Sequence, residues 1–163
     1  MKVWTAVCFV AMTCVAVPVY AQGMGGSAAD ANMEILKEKL KADKKLLVAG
    51  NMDLTDAEAK QFWPLYEAYQ KELAAVNQRL GNVISEYAQA HNQGQGKISE
   101  DKAKKLLQDA LAVDEAEVKL RRTYAEKIGK VLPATKTARY LQMENKIRAL
   151  LRFELAREIP LVY

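Results

Sequence analysis

Apolar side chains spaced alternately four and three residues apart constrain this chain more than any other feature of its sequence. They occur at Phe62, Tyr66, Tyr69, Leu73, Val76, Leu80, Val83 and Tyr87. This spacing, kept over more than three heptads, is typical of a helix that packs along one side against a partner helix. At about 1.5 Å per residue, the helix is roughly 50 Å long. Such a helix is long for a compact globule and ordinary for a helical hairpin.

Capping and turn residues divide the chain beyond Asn32 into further helices, and no period-2 apolar alternation is long enough for a strand. Thr55 and Glu58 form a capping box ahead of the long helix, and the stretch HNQGQG at 91–96 allows the chain to reverse. The other predicted boundaries are Gly50 after a first helix at 33–50, Ser99 before the third helix, Pro133 before the fourth and Pro160 after it. The sequence therefore predicts an all-α fold, a long antiparallel helical hairpin with kinked helices and about four helices in total.

A proline interrupts the long helix in the stretch QFWPLYEAYQ, with aromatic residues around it. Pro64 has no backbone N–H to donate to the Lys60 carbonyl and its ring clashes with that carbonyl, so we expect the helix to bend or restart there. Trp63 lies beside the apolar seam and widens it. Two interpretations stay open: the aromatic side chains fill the core at a helix crossing, or a curved helix presents them as a partly exposed binding patch.

The first residues have the pattern of a secretory signal peptide. Lys2 precedes the apolar run VWTAVCFVAMTCVAV, and small residues stand ahead of a cleavage site between Ala21 and Gln22. We therefore expect export to the bacterial periplasm, with retention of the apolar run as a membrane anchor as the alternative. The predicted organisation is a signal peptide at 1–21, a disordered linker at 22–32 and a single helical domain at 33–163.

Few residue types that support catalysis remain after cleavage. Cys8 and Cys14 both lie in the predicted signal peptide, and His91 is the one histidine of the chain. One protomer therefore cannot supply the nitrogen and sulfur ligands of a tetrahedral zinc site. No glycine-rich phosphate loop and no GxSxG stretch occurs, and an ion pair with Arg148 is the ordinary explanation for Glu144 on an apolar face. We expect no enzyme, no cofactor and no metal.

Charge is distributed unevenly along the chain. Residues 22–116 carry 12 lysines and arginines against 15 acidic residues, whereas residues 117–163 carry 11 against 5. The basic side chains of the last helices are Lys136, Arg139, Lys146, Arg148, Arg152 and Arg157. This asymmetry indicates either a surface for acidic partners or pairing of the two parts with each other. Export makes nucleic acid a poor partner, and a weak contact with anionic membrane surfaces stays open.

Two short stretches resemble the motifs of a known group of proteins. LTDAE opens the long helix with Leu54, Thr55 and Glu58, and VLPATKTARYLQME leads into the last helix. In an exported, cysteine-poor helical chain of this size, they resemble the LTxxQ motifs of the Spy/CpxP group of periplasmic proteins. Glu58 stands in place of the glutamine, and Pro133 follows Leu132 in the second copy. The resemblance implies a kinked helical hairpin that dimerises into a cradle for unfolded clients. It also implies an ATP-independent chaperone, an envelope-stress regulator or a zinc-responsive protein.

The function expected from these features is the binding of unfolded or partner envelope proteins by a homodimer or another small helical oligomer. The candidate binding residues are Phe62, Trp63, Tyr66, Tyr69, Arg139, Arg148 and Arg152. A chaperone of this kind protects many unrelated unfolded proteins. The alternative is a structural or regulatory helical module that binds one specific envelope partner, such as a sensor domain, without general chaperone activity.

Overall fold

Four helices make up residues 42–162, which are the residues that the computed structural model describes. Helix α1 is described over 42–52, and the helices that follow are α2 at Asp56–Gln93, α3 at Glu100–Gly129 and α4 at Ala134–Glu158. No strand occurs in this part of the chain, so the predicted all-α class is confirmed. The predicted signal peptide, the predicted linker and the start of the first predicted helix lie outside the described residues.

Local hydrogen bonds determine where α2 begins. The Glu58 backbone N–H donates to the Thr55 hydroxyl at 3.3 Å, and the Thr55 N–H donates to the Glu58 carboxylate at 2.8 Å. The predicted capping box is therefore confirmed. The helix continues through Pro64 without a restart, so of the two expected effects of this proline only the bend stays a prediction.

Helix α1 ends later than predicted. The prediction that Gly50 ends it is wrong, because the helix continues to residue 52 and Asp53 takes the left-handed conformation with a φ of 47°. Aspartate tolerates this conformation better than most side chains do. Two basic side chains of α4 satisfy carbonyl groups at this helix end, since Lys136 donates to Asp53 and Arg139 donates to Asn51.

The turn after α2 depends on two glycines. Helix α2 extends to Gln93, so the predicted turn at 91–96 begins later than expected and His91 is helical. A Cβ at Gly94 would lie 1.8 Å from a backbone carbonyl oxygen, and Gly96 has a φ of 94°. Neither position accepts a side chain without strain.

Two long-range contacts show that α2 and α4 run in the same direction. Gln70 binds Glu144 across 74 residues of sequence, and Tyr87 binds the Pro160 carbonyl across 73. Because the offset is nearly constant from one end of α2 to the other, the two helices lie side by side and parallel.

Helix α3 runs opposite to α2. Tyr69, in the first half of α2, packs on Tyr124 in the last part of α3, with ring centroids 5.2 Å apart. Glu86, near the end of α2, binds Lys102 near the start of α3. The pair of α2 and α3 is therefore the antiparallel hairpin that the sequence predicted.

The hydrophobic core lies at the end of the bundle where α2 begins. Its buried members are Val48, Met52, Phe62, Tyr66, Tyr69, Leu120, Tyr124, Ile128, Leu132 and Tyr140. All four helices contribute to this cluster. Among residues 42–162, the remaining buried apolar side chains are Leu106 and Val113, and both come from α3. Apolar packing is therefore concentrated in one half of the bundle.

Candidate functional site

Three of the four aromatic residues predicted to bind a client lie in the core. The exposed fractions are 0% for Phe62, 3% for Tyr66 and 2% for Tyr69. Phe62 packs edge-on against Tyr140 with centroids 5.2 Å apart, as Tyr69 does against Tyr124. Burial raises the pKa of Tyr66 to about 12. The interpretation of these three residues as exposed binding surface is therefore wrong, because α3 and α4 supply tyrosines that cover them.

Trp63 keeps part of its surface exposed. Its ring packs edge-on against Phe62 at 5.1 Å and against Tyr66 at 5.3 Å, measured between centroids. The Lys45 ammonium lies 5.3 Å from the ring centroid, a distance typical of a cation–π contact. Trp63 therefore belongs to the rim of the aromatic core.

The three predicted arginines divide between two places. Arg139 is exposed and lies against the end of α1, where it donates to the Asn51 carbonyl at 3.4 Å. Arg148 and Arg152 lie further along α4 and contact α3 instead. The structure brings these last two together and leaves Arg139 apart from them.

Arg148 and Arg152 converge on one buried carboxylate. An Arg148 nitrogen lies 3.1 Å from one Glu117 oxygen, and an Arg152 nitrogen lies 2.9 Å from the other. Arg152 also binds Asp114 at 2.7 Å. Glu117 is 4% exposed, and a carboxylate at that depth needs charged partners to offset its lost hydration.

A second buried carboxylate, Glu144, joins three helices. The Lys44 ammonium of α1 lies 2.8 Å from it, and the Gln70 amide of α2 donates to its other oxygen at 2.9 Å. Lys44 also donates to the Gln70 carbonyl oxygen at 2.9 Å, and the Gln70 amide lies 3.3 Å from the Tyr140 hydroxyl. The predicted ion pair of Glu144 with Arg148 is therefore wrong, because Glu144 pairs with α1 and Arg148 pairs with α3.

A groove extends from these two carboxylates toward the far end of the bundle, between α2, α3 and α4. Its first compartment has a volume of about 360 Å³. The apolar walls are Leu73, Leu80, Ile84, Ile147, Leu151 and Leu155. Glu117, Arg148 and Arg152 line the same compartment, so the two predicted arginines lie beside apolar surface.

The groove continues into a second compartment of about 400 Å³. The two compartments share Leu80, Ile84, Arg152 and Leu155, and the added walls include Val83, Tyr87, Ile98, Leu106, Leu107 and Ile159. Arg152 is the one charged residue in this lining, within the part of the chain that the structure describes. Together the compartments form a groove with a charged end and an apolar end.

Large apolar side chains also lie exposed outside the groove walls. On α4, Leu150 is 69% and Phe153 is 61% exposed, and on α3 Leu111 is 53% exposed. Leu150 does not line either compartment of the groove, although Leu151 beside it does. Leu151 is 58% exposed and forms a groove wall.

The apolar seam of α2 includes parts of the groove lining, but the seam pattern does not predict a groove. Leu73, Leu80, Val83 and Tyr87 belong to the predicted seam, but the sequence did not show that the second half of this seam is incompletely covered. A usable signal was the change along the seam from aromatic side chains to aliphatic ones after Tyr69. Smaller side chains with no aromatic partners fill less of the space between helices.

Over residues 42–162, no group of three or more histidine, cysteine, aspartate or glutamate side chains is placed to hold a metal ion. In the same range, no helix combines the length and the apolar character that crossing a membrane requires.

Comparisons with protein-family models, with curated proteins and with solved structures found no match. A functional proposal therefore rests on the geometry of the groove, on its charges and on the sequence features.

Proposed function

We propose that this protein is an envelope binding protein of the ATP-independent chaperone type, which holds apolar segments of unfolded or partner proteins. The observation that carries the proposal is the groove between α2, α3 and α4, with leucine and isoleucine side chains along both compartments. Large exposed apolar patches on a soluble protein mark interaction sites. The groove replaces the buried aromatic cluster as the proposed binding surface.

Charge at the groove supports a binding role. Arg148 and Arg152 place guanidinium groups beside apolar walls, and their aliphatic stems add to the contact surface. A client segment can therefore find apolar contacts and hydrogen-bond donors on the same surface. Apolar contacts impose few directional requirements, so such a surface suits many clients rather than one.

The proposed location is the periplasm. The signal-peptide pattern at 1–21 and the resemblance of LTDAE to the LTxxQ motif support it. Intact-mass measurement of the protein from a periplasmic extract tests the proposal. We expect a chain that begins at or within a few residues of Gln22, and a full-length chain in the membrane fraction would contradict it.

We further propose a homodimer. Leu111 and Val118 lie outside the groove on α3 and are 53% and 46% exposed. They form a stripe that a second copy of the chain can cover. Light scattering at micromolar concentration should give twice the protomer mass. Leu111→Glu should give the protomer mass, and the neighbouring substitution Gln108→Glu should leave the dimer intact.

An aggregation assay with matched variants tests the chaperone function. Leu150 and Leu151 are adjacent and both exposed, but Leu151 lines the groove and Leu150 does not. We expect the wild-type protein to suppress aggregation of a chemically denatured test protein, Leu151→Asp to suppress it several-fold less, and Leu150→Asp to act as wild type. A wild-type protein that suppresses nothing contradicts the proposal.

The second candidate function is a module for one specific envelope partner, which the same groove could also serve. A photo-crosslinking amino acid at position 151 separates the two functions in living cells. Adducts of many masses indicate a chaperone, and a single dominant adduct indicates a dedicated partner. The same amino acid at position 150 controls for collisions outside the groove.

A further inference from the structure

The groove is long, narrow and charged at one end. Along α2 it extends from Tyr69 to Tyr87, a distance of about 27 Å at the helical rise. At the Tyr69 end the lining includes four cationic side chains, Lys44, Arg121, Arg148 and Arg152, against the two carboxylates Glu117 and Glu144. The Tyr87 end is apolar.

Charges of both signs act on the floor of the charged end. Burial raises the pKa of the Tyr69 hydroxyl, and the carboxylates of Glu144 and Glu117 raise it further, whereas Arg121 and Arg148 oppose this increase. Both guanidinium groups therefore act on the interior of this compartment. Glu117 and Asp114 together balance Arg148 and Arg152, and Glu144 balances Lys44, which leaves the charge of Arg121 in excess. An anionic group placed here would offset the remaining charge.

We propose that the groove binds a single-chain anionic amphiphile, namely a long-chain carboxylate. Its carboxylate lies between Arg121 and Arg148, where guanidinium groups can bind it through paired hydrogen bonds. Its hydrocarbon chain extends past Leu80 and Ile84 toward Ile98 and Leu106. This activity is separate from the holding of protein clients, although both use the same walls.

The size of the groove suits such a chain. Compartments of about 360 and 400 Å³ fall in the range of small-molecule sites. A single acyl chain is a ligand of the size that such sites take.

Calorimetric titration of the mature protein with laurate tests the proposal, at concentrations below micelle formation. We expect one site per protomer. Decanoate, laurate and myristate should bind in order of length, each about tenfold tighter than the one before, because each added pair of methylene groups leaves water. Dodecylamine has the same chain as laurate and the opposite charge, and it should bind at least tenfold more weakly.

Two pairs of adjacent residues provide matched variants. Arg121 lines the charged compartment, whereas Arg122 lies on the outer side of α3. Arg121→Gln should weaken laurate binding about tenfold, as expected for the loss of a charged hydrogen bond, and Arg122→Gln should not. Leu151→Trp fills the groove and should abolish binding, whereas Leu150→Trp should leave it unchanged. Unchanged melting temperatures of the free variants confirm that each is folded.

Three results would each overturn the proposal: no heat of binding with laurate, equal binding of dodecylamine, or equal binding by Arg121→Gln and wild type. Loss of the amphiphile site and loss of the chaperone function are distinguishable, because titration needs no client and aggregation assays need no laurate.

Discussion

The ammonium group of Lys44 lies 2.8 Å from the carboxylate of Glu144, and this pair joins α1 to α4 at the boundary between the core and the groove. The side chain of Glu144 is 4% exposed and that of Lys44 is 18% exposed. The pair therefore has more effect on stability than a surface ion pair does.

Removal of the lysine alone should destabilise the fold. We expect Lys44→Met to lower the free energy of unfolding by about 3 kcal/mol, because it leaves a buried carboxylate with the Gln70 amide as its remaining partner. The double variant Lys44→Met/Glu144→Met should recover most of this loss. Lys45→Met is the control, since Lys45 and Glu67 are about half exposed and their pair contributes under about 1 kcal/mol. Urea unfolding of the four proteins measures the differences, and equal losses in the two single variants would contradict the expectation.

A buried hydroxyl offers a stabilising substitution. Thr137 is 8% exposed, and its hydroxyl has no hydrogen-bond partner among the residues that the structure describes. Thr137→Val keeps the shape and removes the polar group, so we expect a gain of about 1 kcal/mol. Thr135→Val, at an exposed position two residues earlier, should change stability by less than about 0.5 kcal/mol. A loss of stability in Thr137→Val would show that the hydroxyl has a partner.

Stability should depend on pH through Glu58. The hydrogen bond from Lys136 and the capping hydrogen bond from the Thr55 backbone lower the pKa of Glu58 below its ordinary value of 4.5. A carboxylate with a lowered pKa stabilises the folded state above its ordinary pKa, and the contribution is lost as pH falls through the lowered value. Glu58→Gln should therefore melt below wild type at pH 7, and this difference should shrink as pH falls below 4.5. A difference that is the same at pH 7 and pH 3 would contradict this cause.

The partly exposed tryptophan should matter for stability and little for binding. Trp63 packs on Phe62 and Tyr66 but lies outside both compartments of the groove. We expect Trp63→Ala to lower the free energy of unfolding by about 2 kcal/mol, between the values for buried and surface positions. Its suppression of aggregation, measured well below its melting temperature, should match wild type. If folded Trp63→Ala no longer suppresses aggregation, Trp63 is part of the binding site and this expectation is wrong.

Helix boundaries were the most predictable part of the fold, because they depend on neighbours in sequence. The capping box at Thr55, the glycine turn before Ser99 and the break at Pro133 each involve residues a few positions apart. The prediction that Gly50 ends α1 is wrong. A glycine near the end of a helix ordinarily takes the left-handed conformation that ends it, but in this chain Asp53 takes that conformation instead.

The candidate site was less predictable, because it depends on partners from distant helices. A seam residue such as Tyr69 is core or surface according to what α3 and α4 place on it, and Tyr124 and Tyr140 cover it. Glu144 had Arg148 within reach on its own helix, yet a lysine 100 residues away binds it. The periodic pattern identifies which side of a helix is apolar, and it does not show how completely that side is covered.

Helix α2 passes from the filled half of the bundle into the groove, and this single element should therefore show two different rates of hydrogen exchange. Amides around Phe62 and Tyr66 can exchange only when the tyrosine core separates, whereas those around Leu80 and Ile84 can exchange through local fraying of the far end. Such fraying must break the hydrogen bond that the Tyr87 hydroxyl donates to the Pro160 carbonyl. A ligand bound in the groove would slow amide exchange only in the second half of α2. Exchange rates in the first half of α2 would then measure the stability of the fold, and those in the second half would measure ligand binding.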